Sequence, residues 1–235
     1  ISDGWSMGVL ISEITKLYGA ILQNESTELP DLPIQFGDYA EWQTDYLQGE
    51  VLDKQLEYWQ KQLGDNPPPL ELPTDRPRPL VQTNAGATTS IFLPQNIVKQ
   101  INEFSRKNGG TLFMTLMAAF KVLLARYSGL FDISIGTPIA NRTRKETEGL
   151  IGLFINTLVI RTPFYDNPSF QELWQREKQN TLHAYEYQDI PFEFLVDKLQ
   201  PDRDMSYPPL FQVMFILQNA PMQIQKISSD LQMEM

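Results

Sequence analysis

The sequence has no cysteine, so within these 235 residues there is no disulfide, no thiol catalysis and no cysteine-ligated metal. That absence leaves a reducing compartment open, and the expected location is cytoplasmic. Long apolar runs are missing too. The longest, Leu112 to Leu124, is interrupted by Lys121 and falls short of the roughly 20 residues a membrane-spanning helix needs. It reads as a buried helix, and no secretory signal pattern opens the chain. Positive charge is in deficit, with 19 Lys and Arg against 29 Asp and Glu for a formal net charge of -10. That balance disfavours a nucleic-acid partner, which requires a basic surface that releases counterions. A small basic cluster, Arg142, Arg144 and Lys145, reads as a solvated loop, with an acidic partner as the alternative.

What is present is the composition of a globular protein, 42% hydrophobic and 20% charged, enough to bury a sizeable core. The first residue is Ile1, and regular patterning has begun by Leu10, so the start is expected to be an internal cut in a longer chain. From Met7 the apolar residues Leu10, Ile14, Leu17 and Ile21 recur at steps of three and four, which predicts a helix with one buried face. Two further helical patterns follow, one through Phe36, Tyr39, Trp42 and Tyr46 and one through Leu52, Leu56, Trp59 and Leu63. Pro67, Pro68, Pro69, Pro73, Pro77 and Pro79 then exclude regular helix or central strand, because proline lacks a backbone donor and fixes φ. The stretch 66–84 is therefore expected to link an earlier lobe, 1–65, to a later one, 85–235.

In the later part Thr88 to Leu93 alternates like a strand, and Ile97, Ile101 and Phe104 make a short helix ended by Gly109 and Gly110. Thr111 is the expected N-cap of the apolar helix after it. Strands are expected at Asp132 to Ile139 and Phe154 to Arg161, around a polar loop from Ala140 to Gly149. Ser169 and Glu172 have the spacing of a capping box, Pro191 marks the first turn of another helix, and Leu210 to Leu217 is a last strand candidate. Strands separated by helices predict an α/β class.

Periodicity stops at fold class, and five separated strings carry the functional signal. ISDGWSMGVL, at Ile1 to Leu10, resembles the downstream half of the HHxxxDGWS motif of nonribosomal peptide synthetase condensation domains. FGDYAEWQ, at Phe36 to Gln43, is similar to that family's aromatic YxDYAxW segment, and Asn141 to Arg161 resembles its NR…IGxFxNTLxxR segment. YQDIPFE, at Tyr187 to Glu193, and RDMSYPPLFQVMF, at Arg203 to Phe215, complete the resemblance in family order.

The resemblance implies a chloramphenicol-acetyltransferase-like fold of two lobes around a tunnel, with 1–65 ending the first lobe. It implies donor and acceptor peptidyl carrier proteins presenting phosphopantetheine thioesters, adjoining adenylation modules, and no bound metal or redox cofactor. The acceptor amine would attack the donor carbonyl, and its lost proton must be accepted or relayed. The family credits this to the second histidine of its motif. Counting back from Asp3 through Ser2 and Ile1, both histidines fall before residue 1, so the fragment by itself is expected to be inactive. Asp3 is expected to make a buried ion pair shaping the histidine loop, to cap a helix, or both. Gly4 either lets backbone approach substrate or makes a turn; Trp5 and Ser6 complete the motif. Asn156 and Arg161 are expected on a tunnel-lining strand, the first to hydrogen-bond substrate and the second in a structural ion pair. Tyr39 and Trp42 read as core, and Gln188, Asp189, Pro191 and Phe192 as residues that fix a loop and helix start.

Three rivals remain at this level. Gly4, Trp5, Ser6, Met7 and Gly8 also spell GxSxG, which would make Ser6 a hydrolase nucleophile with His183 as base. His183 is the only histidine and lies outside any family motif, so an ordinary partly buried side chain is its expected state. A non-catalytic platform that docks carrier proteins is the second rival. Epimerization and heterocyclization domains are the third; Trp5 and Ser6 resemble condensation rather than epimerization domains, and Asp3-Gly4-Trp5 leans against heterocyclization domains, which replace the histidines by aspartates.

Overall fold

The structure, a computed structural model, describes residues 2–64, 67–77, 79, 85–200 and 207–218. Contacts partition the chain in an order that sequence alone does not follow. One unit takes the chain up to Leu52 together with Ile139–Asn156, and the other takes Asp53–Pro138 and Thr157–Leu217.

The first unit holds α1 (Gly4–Leu22) and α2 (Phe36–Tyr46). Helix α1 starts where Asp3, in extended conformation, accepts the Ser6 amide on its side chain. The periodic face expected to be buried is not: Ile14 is 47% and Ile21 70% exposed, and Ser6 is the buried residue of the helix. Amphipathic spacing specifies which face can be buried and says nothing about whether a partner is in the same chain. Helix α2 opens on a capping box between Gln35 and Asp38. Its Tyr39 is buried with Leu150 and Phe154, and Ile34, Phe36 and Trp42 pack around them. Of the aromatic stripe, Tyr39 is core as its spacing predicts, Phe36 and Trp42 are half-buried against it, and Tyr46 is exposed.

Helix α3 (Gly49–Leu63) enters the second unit at Asp53 and buries Trp59 and Leu63 there, and α4 (Gln95–Lys107) precedes α5 (Leu112–Ser128). Thr111 caps α5 by accepting the Met114 amide, and Gly129, at φ 74, ends it. Helix α5 is the buried helix expected from its composition, with Met114, Met117, Ala118, Leu124 and Ala125 inside. No single described helix is long and apolar enough to cross a membrane. Lys121 is fully buried as well: its Nζ donates to the Ile160 carbonyl, to Thr162 Oγ1 and to Glu177 Oε2, each at 2.8 Å.

Strands β1 (Asp132–Ile139) and β2 (Asn156–Pro163) form a two-stranded sheet. Helices α6 (Phe170–Glu186) and α7 (Phe192–Leu199) follow, the first opened by the Ser169–Glu172 capping box and the second N-capped by Pro191. Residues Ile133, Ile135, Met117, Leu124, Leu173 and Leu70 meet in the core, so the described part of the proline-rich stretch is anchored there through Leu70. Positions 66, 78 and 80–84 of that stretch lie outside the described residues.

Two expected strands differ. Thr88 to Leu93 forms no strand and has no ladder partner among the described residues, and Phe92 is 96% exposed. Leu210 to Leu217 forms a single parallel bridge, Met214 to Gly136, rather than a strand. Alternation records the capacity to pair, and a strand exists only where a neighbour supplies the other half of the ladder. Gly136 is needed at that bridge because a Cβ there would overlap the ring of Phe211.

Candidate functional site

In the first unit, strings that are far apart in sequence converge on three side chains. Asp3 stands at the mouth of α1. Its Oδ1 accepts the Ser6 amide and the Ser6 hydroxyl, both at 2.8 Å. Its Oδ2 accepts the amides of Phe154 at 2.9 Å and Ile155 at 3.2 Å. The last two amides before β2 are thereby satisfied by a carboxylate rather than by a ladder partner. Burial alone would raise the Asp3 pKa. The hydrogen bonds from Ser6 and Phe154, with the Arg142 charge, outweigh it and hold the carboxyl below its ordinary 3.8.

Arg142 is the residue that sequence reasoning missed. Its polar surroundings in sequence point to a solvated loop, yet its side chain is 1% exposed and forms an ion pair with Asp3. Asn141, at φ 53, turns the chain just before it, a conformation asparagine tolerates. The guanidinium donates to the carbonyls of Thr147 and Leu150, to Ser6 Oγ at 2.7 Å and to Asp3 Oδ1 at 3.4 Å. It lies 4.0 Å from the Phe154 ring centroid and 5.8 Å from that of Trp5. Arg144 is engaged as well, 4.3 Å over Trp42. The signal that could have found Arg142 is the Asn141-Arg142 pair that opens the string resembling the family's NR…IGxFxNTLxxR segment. The neighbouring Arg144 and Lys145 make it look like surface.

Ser6 is fully buried. Besides its bonds to Asp3 and Arg142, its hydroxyl is 2.7 Å from the Gly152 carbonyl and 3.1 Å from the Gly152 amide. Gly152 has no room for a side chain, because a Cβ would overlap the ring of Phe36. Trp5 is half-exposed and donates its indole N–H to the Glu148 carbonyl at 2.9 Å. Gly4 occupies the first position of α1, and a Cβ there would meet nothing within 4 Å, so no described backbone crowds it. Chemically, the arrangement is a holder. A nucleophile elbow needs an exposed serine, and this hydroxyl is enclosed by Asp3, Arg142 and Gly152. The hydrolase reading is set aside on that ground.

The other expected residues lie apart from this knot. Asn156 is buried at the start of β2. Arg161, in the second unit, makes the expected structural ion pair: Nε is 3.0 Å from Asp132 Oδ1 and Nη2 is 2.7 Å from Asp132 Oδ2. Gln188 donates to the Tyr185 carbonyl at 2.6 Å, and Asp189 Oδ2 accepts from Gln55 at 3.4 Å. Trp59 donates to the Tyr187 carbonyl at 2.9 Å, and Tyr58 stacks on Tyr187 with ring centroids 4.3 Å apart, so the YQDIPFE string is clasped by α3. Burial, with Tyr187 and Glu186 nearby, pushes the Tyr58 hydroxyl well above its ordinary range. Arg203 to Ser206 of the last string, and Ile1 of the first, lie outside the described residues.

Comparison with known proteins decides the family. The family model described as "Condensation domain" matches residues 1–235. The chain belongs to the condensation-domain family.

As a condensation-domain sequence it is 56% identical over 222 residues to a linear gramicidin synthase protein of Brevibacillus parabrevis, a match covering 94% of this chain and 4% of that protein. It therefore spans a small part of the curated relatives it matches. Among solved structures, the X-domain from teicoplanin biosynthesis superposes with a TM-score of 0.82 at 27% identity, over 91% of this chain and 48% of that one. The condensation domain of the Monacolin K polyketide synthase MokA gives 0.69 at 26% identity, over 91% and 50%. The expected α/β, chloramphenicol-acetyltransferase-like fold class and the nonribosomal peptide synthetase resemblance both stand. Within the condensation-domain family, the knot of Asp3, Ser6 and Arg142 is built from the two strings that the resemblance singled out for the active-site motif and the NR…IGxFxN segment.

Proposed function

We propose that this chain is part of an enzyme domain that joins a donor aminoacyl or peptidyl thioester to the amine of an acceptor aminoacyl thioester. The C–N bond forms as the C–S bond breaks, the carrier thiol leaves with a proton, and the donor chain passes to the acceptor. The observation that carries the reading is the family match over the whole chain, supported by the knot that holds the remnant of the active-site motif. Both substrates would arrive on the phosphopantetheine arms of peptidyl carrier proteins, with adenylation modules loading them. This chain's residues would act by position. Asp3, held anionic, anchors the amides of Phe154 and Ile155 against the first turn of α1, with Gly4 and Trp5 carried on that turn. Asn156, two residues after Phe154, would face substrate, while Arg161, Gln188 and Asp189 brace the scaffold. The only imidazole, His183, is exposed on α6 and is not a partner of Asp3, Ser6 or Arg142, so these 235 residues alone should turn over nothing.

The test is an intact condensation domain containing this chain, supplied with separately loaded donor and acceptor carriers and followed by mass spectrometry. Amide product that depends on both carriers supports the reading. Its absence with both carriers loaded, or turnover by the isolated 235 residues, overturns the corresponding part. A second reading, carrier or enzyme docking without bond formation, is favoured by the likeness to the teicoplanin X-domain, a protein whose complex with OxyB is known. Binding of loaded carriers without product would select it.

A further inference from the structure

We propose that Ser6 is the positioning residue through which Arg142 acts on Asp3, and that the direct ion pair is secondary. The inference rests on the amide-forming reading above and names a residue it leaves without a role.

The distances set the order of the contacts. Arg142 Nη2 is 2.7 Å from Ser6 Oγ and 3.4 Å from Asp3 Oδ1. Charge-assisted N–H···O bonds are ordinarily about 2.7–2.9 Å, so the guanidinium makes its short bond to the hydroxyl and only a long one to the carboxylate. Ser6 Oγ is in turn 2.8 Å from Asp3 Oδ1. The hydroxyl therefore stands between the two charges.

Its capacity is fully used. A serine hydroxyl accepts twice and donates once. The Arg142 Nη2 and the Gly152 amide take the two lone pairs, and the single proton is shared between Asp3 Oδ1 and the Gly152 carbonyl. Donation from a cation makes the hydroxyl a stronger donor, so the contact to Asp3 is strengthened through the chain of bonds. No other described residue links α1 to both Arg142 and Gly152. With Oγ removed, the buried Gly152 amide loses its acceptor and Asp3 loses one of its closest donors. Asp3 is the last residue before α1, so a shift there changes the direction in which the preceding backbone leaves the helix. In the amide-forming reading, that backbone carries the group that serves the amine.

The experiment uses the intact domain with Ser6→Ala, Ser6→Cys and Ser6→Thr, alone and combined with Asp3→Asn. Ser6→Ala is expected to lower kcat about tenfold or more while KM for the acceptor thioester stays within twofold. Ser6→Thr, which keeps the hydroxyl, should restore most of the rate. In the double variant Ser6→Ala with Asp3→Asn, the loss should be no larger than the greater of the two single losses, because one residue acts through the other. If Ser6→Ala does not fold, Ser6→Cys, which keeps the volume with a weak donor, reads the same loss. An unchanged kcat in Ser6→Ala, or in Ser6→Cys where Ser6→Ala does not fold, or multiplicative losses in the double variant, overturns the proposal. A carbon-13 titration of the Asp3 carboxyl gives a readout independent of turnover. Its midpoint should rise in Ser6→Ala and not in Ser6→Thr, and an unmoved midpoint counts against the link. A wild-type domain that makes no amide refutes the reading on which the inference rests, while the titration still decides the link itself.

Discussion

Lys121 Nζ and Glu177 Oε2 meet at 2.8 Å with neither side chain exposed to solvent. Desolvation pulls the lysine pKa down, and the glutamate charge opposes that fall. Removing one partner leaves a buried charge without its counterion, which costs about 3–5 kcal/mol. Lys121→Ala and Glu177→Ala are each expected to lower the unfolding free energy of the intact domain by that amount in urea denaturation. Lys121→Met combined with Glu177→Leu should recover most of it, since neither charge then needs solvation. A double variant as unstable as either single one would contradict this account.

Asp3 makes stability depend on pH with a defined sign. Its folded pKa lies below the ordinary value of 3.8, so the folded state releases this proton more readily than the unfolded chain. The resulting stabilisation is complete above pH 3.8 and is lost as pH falls through the folded value. The stability gap between wild type and Asp3→Asn should be widest near neutral pH and narrow below pH 3.8 in thermal melts. A gap that grows on acidification would reverse the assignment.

Gly152 and Gly8 form a matched pair of tests. A Cβ at Gly152 would overlap Phe36, so Gly152→Ala is expected to destabilise by about 1–3 kcal/mol, with partial relief in a Phe36→Leu background. At Gly8, inside α1, a Cβ meets nothing within 4 Å. Gly8→Ala should therefore stabilise by about 0.5–1 kcal/mol through helix propensity. Urea denaturation of both variants reads the contrast.

Arg161 holds Asp132 with two parallel hydrogen bonds, at 3.0 and 2.7 Å. Lysine cannot reproduce that fork. Arg161→Lys is expected to cost about 1–3 kcal/mol, the range for hydrogen bonds to charged groups. If the role is structural, kcat of the folded variant stays within twofold. A rate loss without a stability loss would move Arg161 into the substrate site.

How much is legible in the sequence depends on the range of the interaction. The caps by Asp3, Thr111 and Ser169 are readable because a cap and the amide it binds lie within three residues. Burial of Tyr39, Met117 and Trp59 follows from spacing for the same reason. Arg142 escapes such reading because its partners are Asp3 and Ser6, more than 130 residues away, and a guanidinium in a polar stretch has the same local signature whether solvated or enclosed. Thr88 to Leu93 misleads from the other side, since its alternation is real and a ladder neighbour is lacking among the described residues.

Sequence alone determined the family, the class of fold and the helices whose start signals are local, because those properties are written in residue types and short spacings. Tertiary structure decided which charges are buried and which serine is enclosed rather than exposed as a nucleophile would be. It also decided which glycine cannot change. Each of those turns on what stands within about 3–4 Å of a side chain, the range at which hydrogen bonds and van der Waals contacts act. At Ser6 the neighbours are Asp3, Arg142 and Gly152, and no spacing in the sequence brings those three together.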